Sequence, residues 1–223
     1  MANQAASPVS HRLTGTPDAT PAEATVRPWL QRSGSSVPQV TLTTSERAMG
    51  SSLEWPVVAF ELPDNLHPDC GPIAWMLGTW RGNGHGDYPT IEPFQFGQEL
   101  IFTHDGRPFF HYMSRAWIVD QDGQKVRDAA IETGFLRPKA DGALELVLTH
   151  NTGFVEIWYG NAEIGTPRIE LTTDAVARTH SAKEYTGGHR MYGMVEGDLL
   201  WAFDMAAMGQ ALQPHLWGRL VRQ

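Results

Sequence analysis

Two short segments carry the side chains most able to do chemistry. Near the C-terminus, Leu212-Gln213-Pro214-His215-Leu216-Trp217 sets one imidazole in an apolar run, directly after a proline that fixes the local backbone. An imidazole so placed is either a metal ligand with a hydrophobic wall beside it or a satisfied residue of the strand, and the run alone leaves both readings open. Upstream, Gly78-Thr79-Trp80-Arg81-Gly82-Asn83-Gly84 is a Gly-x-Trp-x-Gly-x-Gly run, followed by Tyr88-Pro89-Thr90-Ile91. No helix is predicted after these glycines, so they lack the context of a phosphate-binding loop. They read as places where a strand bends and meets its neighbours closely. Thr90 reads as a turn residue, and Lys183, in Ser181-Ala182-Lys183-Glu184, as a loop lysine. Other chemistries lack their residues. There is no Gly-x-Ser-x-Gly and no His-Glu-x-x-His, and Cys70 has no evident partner. His104 with His111, or His180 with His189, could meet across hairpins, which is a weak signal for zinc.

The elements that must position these residues read as strands. From Gly78 onward, strand-like runs occupy 78–85, 95–104, 108–119, 125–137, 143–150, 153–160, 167–173, 175–181, 189–196, 199–206 and 213–221. Asp105-Gly106, Asp122-Gly123, Asp141-Gly142 and Glu196-Gly197-Asp198 are hairpin signals between them. Short strands joined by tight turns, with no long helix between, predict an all-β meander that closes to remove its edges. An antiparallel barrel of about ten strands encloses more than its own side chains, so the architecture implies an interior site without naming its ligand. Before the barrel, Asp69 is expected to cap a short helix through Pro72-Ile73-Ala74-Trp75-Met76, ended by Gly78, that plugs one end. Residues 1–55 are rich in small and polar side chains without a sustained period and read as a disordered tail, with a short ordered patch at Val26-Arg27-Pro28-Trp29-Leu30. Residues 56–223 read as the barrel domain.

The formal charge is −8. Arg12, Arg27, Arg32 and Arg47 balance Asp18, Glu23, Glu46 and Glu54 in the tail, so the excess acid belongs to the barrel. An acidic domain repels phosphate backbones, which argues against nucleic acid as a partner. One cysteine excludes an internal disulfide and a Cys-x-x-Cys-His haem attachment. No apolar window reaches 18 residues and no secretory pattern opens the chain, so the expectation is a cytoplasmic protein without a membrane partner.

The glycine–tryptophan run, Tyr88-Pro89-Thr90-Ile91 and Leu212-Gln213-Pro214-His215-Leu216 together resemble the nitrobindin family over residues 64–222. That family is built on barrels similar to lipocalins and fatty-acid-binding proteins. The resemblance implies one non-covalent haem b per subunit, with His215 as the axial iron ligand. It also implies a haem contact from Thr90 and a propionate contact from Lys183. The implied activity is isomerisation of peroxynitrite to nitrate by the ferric protein, with nitric oxide as a further ligand; a homodimer is left open. Trp80 is expected to be structural, closing the barrel floor beneath Arg219 or Arg222. The stretch Leu148-Thr149-His150-Asn151-Thr152-Gly153 also resembles the family, with His150 read as structural and Asn151 standing where the family commonly has proline. The alternative function is a non-catalytic carrier of a fatty acid or other hydrophobic molecule, in which His215 is incidental. A sensor signalling through the tail is a third reading. Replacing His215 separates the first two.

Overall fold

The computed structural model describes residues 61–223. The tail expected at 1–55, with its ordered patch, lies outside the described residues. Inward apolar side chains at every second position, such as Leu144, Leu146 and Leu148, give each strand one face to bury. Ten strands result: β1 (Gly78–Tyr88), β2 (Ile91–Thr103), β3 (Phe110–Val119), β4 (Lys125–Pro138), β5 (Ala143–His150), β6 (Phe154–Ala162), β7 (Arg168–Arg178), β8 (Tyr185–Val195), β9 (Asp198–Ala207) and β10 (Gln213–Arg222). Each pairs antiparallel with the next, and β10 pairs with β1 to close the barrel.

The runs expected at 167–173 and 175–181 are one strand, β7. Asp174 is a bulge residue there, because Thr173 pairs with Trp158 and Ala175 with Ile157. A single extra residue reverses the inside–outside alternation and imitates a strand break in the sequence. The expected hairpin glycines hold the left-handed conformation their turns require, as at Gly123 and Gly142 (φ 76° and 86°).

The helix is a 3₁₀ helix, Pro68–Met76, and its cap is His67 rather than Asp69. Pro68 sets the first helical φ, so the chain turns a residue earlier than expected, and the Asp69 N–H donates to His67 Nδ1 at 3.2 Å. Leu77, not Gly78, ends it. The helix buries Ile73 and Met76 at the end of the barrel where β1 begins. There Trp80 donates its indole N–H to the Met76 carbonyl at 2.8 Å, and the Arg222 guanidinium lies 4.0 Å above the Trp80 ring. Of the two arginines expected over Trp80, Arg222 takes the place; Arg219 pairs with Asp198 instead. The β1–β2, β3–β4, β5–β6, β7–β8 and β9–β10 turns gather at the opposite end, which forms the mouth.

Candidate functional site

His215 reaches the barrel interior through a fault in the β ladder. On β10, Trp217, Arg219 and Val221 face solvent while Gly218 and Leu220 face inward, so strict alternation would turn His215 outward. The register slips there: Pro214 pairs with Asp204 and Leu216 with Phe203, leaving His215 as the extra residue of a bulge. A bulge lets two successive side chains share a face, and His215 and Leu216 both line one cavity of about 240 Å³. The imidazole is then held on three sides. Tyr88 meets it edge-on at 5.2 Å and Phe203 at 6.0 Å. Its Nδ1 lies 3.1 Å from the Asp87 backbone oxygen. A carbonyl only accepts, so Nδ1 carries the proton and Nε2 keeps the lone pair. Burial lowers the His215 pKa from its ordinary value against the opposing pull of the Asp87 carbonyl, favouring the neutral, ligating form.

The cavity wall is apolar near His215 and polar in depth. Phe94, Phe96, Ile118 and Leu216 line the upper part. Across the barrel, β3 and β4 place the small side chains Ala116, Ala129 and Ala130 between Ile118 and Arg127 toward the mouth and Glu132 in depth. Deeper, a charged crossbar spans the interior: Arg190 on β8 donates from both terminal nitrogens to Glu132 on β4 at 2.8 Å. Arg190 is also held between Trp158 and Phe203, with its guanidinium carbon 5.0 and 4.8 Å from the ring centres. Tyr112 donates to Glu132 at 2.7 Å. Burial alone would raise the Glu132 pKa, yet Arg190, with help from His150 and Tyr112, brings it down to about 2. Behind Glu132, His150 stands between two carboxylates, Nδ1 3.4 Å from Glu132 and Nε2 2.5 Å from Glu156, and Tyr185 donates to Glu156 at 2.5 Å.

A neutral imidazole with a fixed tautomer, its free Nε2 lone pair beside a cavity lined by aromatic and aliphatic side chains, has the chemistry to ligate a metal or a haem iron. The family model described as THAP4-like, heme-binding beta-barrel domain matches residues 69–222. The chain belongs to this family. A protein named peroxynitrite isomerase from a Nocardioides species is 76% identical over 74% of this chain and 99% of its own length. A ferric nitrobindin-like protein of Streptomyces griseus is 44% identical over 73% of this chain and 85% of its own. Among solved structures, Rv2717c from M. tuberculosis shares the fold with a TM-score of 0.65 and 37% identity, covering 71% of this chain and 99% of that one.

The other residues singled out from the sequence occupy different places in this haem-binding barrel. Thr90 is exposed in the β1–β2 turn and Lys183 is exposed in the β7–β8 loop; both loops stand at the mouth, but neither side chain lines the cavity. Of the Tyr88-Pro89-Thr90-Ile91 motif, Tyr88 is the residue that meets His215, its hydroxyl pinned by the Ala207 N–H at 3.0 Å. Gly78, Trp80, Gly82 and Gly84 belong to the frame: a Cβ at Gly82 would sit 2.1 Å from the Arg219 carbonyl. His150 is a member of the buried network; of the paired histidines, His111 lies beside Thr133 and His189 between Glu170 and Asp204. Among the described residues, no group of three His, Cys, Asp or Glu side chains is placed to hold a metal ion, and no helix is long and apolar enough to cross a membrane. Sequence reading missed Arg190, Glu132 and Tyr112. A glutamate and an arginine 58 residues apart give no local signal of pairing.

Proposed function

We propose that this protein binds one haem b per subunit without covalent attachment, with His215 Nε2 as the axial ligand, and isomerises peroxynitrite to nitrate. Nitric oxide is a second small ligand of the same site. The observation that carries this reading is the bulge that turns His215 into the cavity with its Nδ1 proton committed to the Asp87 carbonyl. When bound, ferric haem would supply a Lewis-acidic iron for a small ligand. The chain does the rest. Tyr88 and Phe203 hold the imidazole plane, while Phe94, Phe96 and Leu216 keep bulk water from the reacting volume. Gln98 Oε1 is buried without a protein partner in a residue that lines the cavity, which leaves an acceptor for a small polar ligand.

Peroxynitrite isomerase is the printed name of the Nocardioides relative, which supports the assignment of the reaction. Thr90 and Lys183 belong to the proposal as mouth residues that close on the haem edge and a propionate once the cofactor is in place. A cytoplasmic location, the division at residue 55 and freedom from nucleic-acid and membrane partners complete it. The carrier reading fares worse, because the interior cation Arg190 is already tied to Glu132 by two hydrogen bonds and offers a fatty-acid carboxylate no free charge.

The test is a Soret titration of the purified chain with hemin beside His215→Ala. A saturable band at one equivalent, shifted and weakened in the variant and accompanied by loss of peroxynitrite decay to nitrate, is the expected result. A band indifferent to His215→Ala refutes it.

A further inference from the structure

On β4 a second bulge aims another side chain at the same cavity. Counting back from the inward Glu132, strict alternation would place Ala130 and then Asp128 inside, with Arg127 facing out. Instead Arg115 pairs with Ile131 and Trp117 with Asp128, so Ala129 and Ala130 together stand opposite the single residue Ala116. Beyond this bulge the faces are exchanged. Arg127 pairs with Ile118, and both line the cavity that holds His215. Asp128 is turned to the outer face, where Lys125 Nζ pairs with it at 2.5 Å.

The bulge is braced from the next hairpin by Asn151. Its Oδ1 accepts from the Ile131 N–H at 2.9 Å, its Nδ2 donates to the Ala129 carbonyl at 3.4 Å, and its backbone N–H donates to the Ile131 carbonyl at 3.1 Å. These are backbone groups on either side of the extra residue, which an unbraced bulge would leave to solvent.

Among the described residues, Arg127 arrives at the rim without an anionic partner. Its one hydrogen bond runs to the Asp128 backbone oxygen at 3.3 Å, and it forms no ion pair among the described residues. The acids nearby are engaged elsewhere: Asp128 with Lys125, and Asp120 with the amides of its own turn. A planar guanidinium over an apolar cavity is suited to a carboxylate that belongs to a largely hydrophobic ligand and remains at the water boundary.

We infer that Arg127 takes a carboxylate of the bound cofactor at the β4 rim, and that Asn151 positions it by holding the bulge. The inference rests on the haem reading of the cavity. β4 lies four strands from β10, so Arg127 grips the cofactor from the wall across from His215, whereas Lys183 stands on a separate loop.

The experiment titrates the full chain with hemin and with hemin dimethyl ester, whose carboxylates are blocked, and follows the Soret band. Wild type is compared with Arg127→Gln, Asn151→Ala and Lys183→Gln. Wild type should prefer hemin over the ester, and Arg127→Gln should weaken hemin by roughly three- to tenfold while leaving ester affinity unchanged. Asn151→Ala should reproduce part of that loss with Arg127 still present. Unchanged ester binding serves as the check that each variant is folded. Equal affinity of wild type for the two compounds overturns the inference, as does a wild-type ratio in Arg127→Gln or a ratio abolished by Lys183→Gln alone. In those cases the haem reading stands. Failure of wild type to bind either compound removes both.

Discussion

His215 Nδ1 and the Asp87 backbone oxygen are 3.1 Å apart, joining two residues that each interrupt a ladder: His215 is the extra residue of the β10 bulge, and Asp87 lies at the irregularity between Gly86 and Tyr88 of β1. Because the acceptor is a main-chain group, the tautomer is a property of the fold and no side-chain substitution at Asp87 removes it. Neutral His215 is the form that burial favours. In the haem-free protein, an NMR titration of this ring should therefore give a midpoint below the ~6.5 of free imidazole. The folded chain binds this proton more weakly than the unfolded chain, so stability falls as pH drops from the ordinary imidazole value through the lowered one. His215→Gln should flatten that part of the stability–pH curve; a midpoint above the ordinary value contradicts the burial argument.

Glu132 gives the opposite group type and a different window. Its pKa falls from 4.5 to about 2 because Arg190 outweighs the cost of burial. The stabilisation is complete above the unfolded value and is lost as pH falls toward 2. Glu132→Gln leaves Arg190 buried without its counter-charge and should cost about 3–5 kcal/mol at neutral pH. The difference from wild type, read by urea denaturation, should shrink near pH 3. A constant difference across pH would mean that packing, not charge, carries the effect.

At the closed end, Arg222 lies over Trp80 and donates to the Trp75 carbonyl at 2.8 Å and to the Leu77 carbonyl. Arg222→Ala should lower stability by about 1–3 kcal/mol through the lost cation–π contact and hydrogen bonds. Hemin affinity should stay at the wild-type value, since the floor and the mouth are separate ends of the barrel. A large loss of hemin binding in a folded Arg222→Ala protein would show that the two ends are coupled.

Gly84 offers a test of the frame around the cavity. A Cβ there would sit 2.3 Å from the Phe96 ring and 2.6 Å from the Trp217 carbonyl. The carbonyl cannot yield, so the ring must move, and Phe96 lines the cavity. Gly84→Ala should cost about 1–3 kcal/mol by thermal or chemical unfolding and weaken hemin as well. Wild-type hemin affinity in a destabilised Gly84→Ala protein would place Phe96 outside the binding volume.

Local pattern alone determined much of this protein. Alternation at Leu144, Leu146 and Leu148, with Asp-Gly turns between runs, specified an antiparallel barrel, because strand period and turn chemistry are written in neighbouring residues. The run around Pro214-His215 marked a candidate ligand, but by itself left a satisfied strand residue equally open. What the tertiary structure decided are the places where that period fails. The direction of His215, the merging of two runs into β7 at Asp174 and the exchange of Arg127 for Asp128 on the inner face each depend on one unpaired residue. Whether a residue is unpaired is a fact about the partner strand, and a single strand's sequence does not contain it. The Arg190–Glu132 crossbar belongs with them, since two charges on strands that do not touch meet only when the barrel has closed around both.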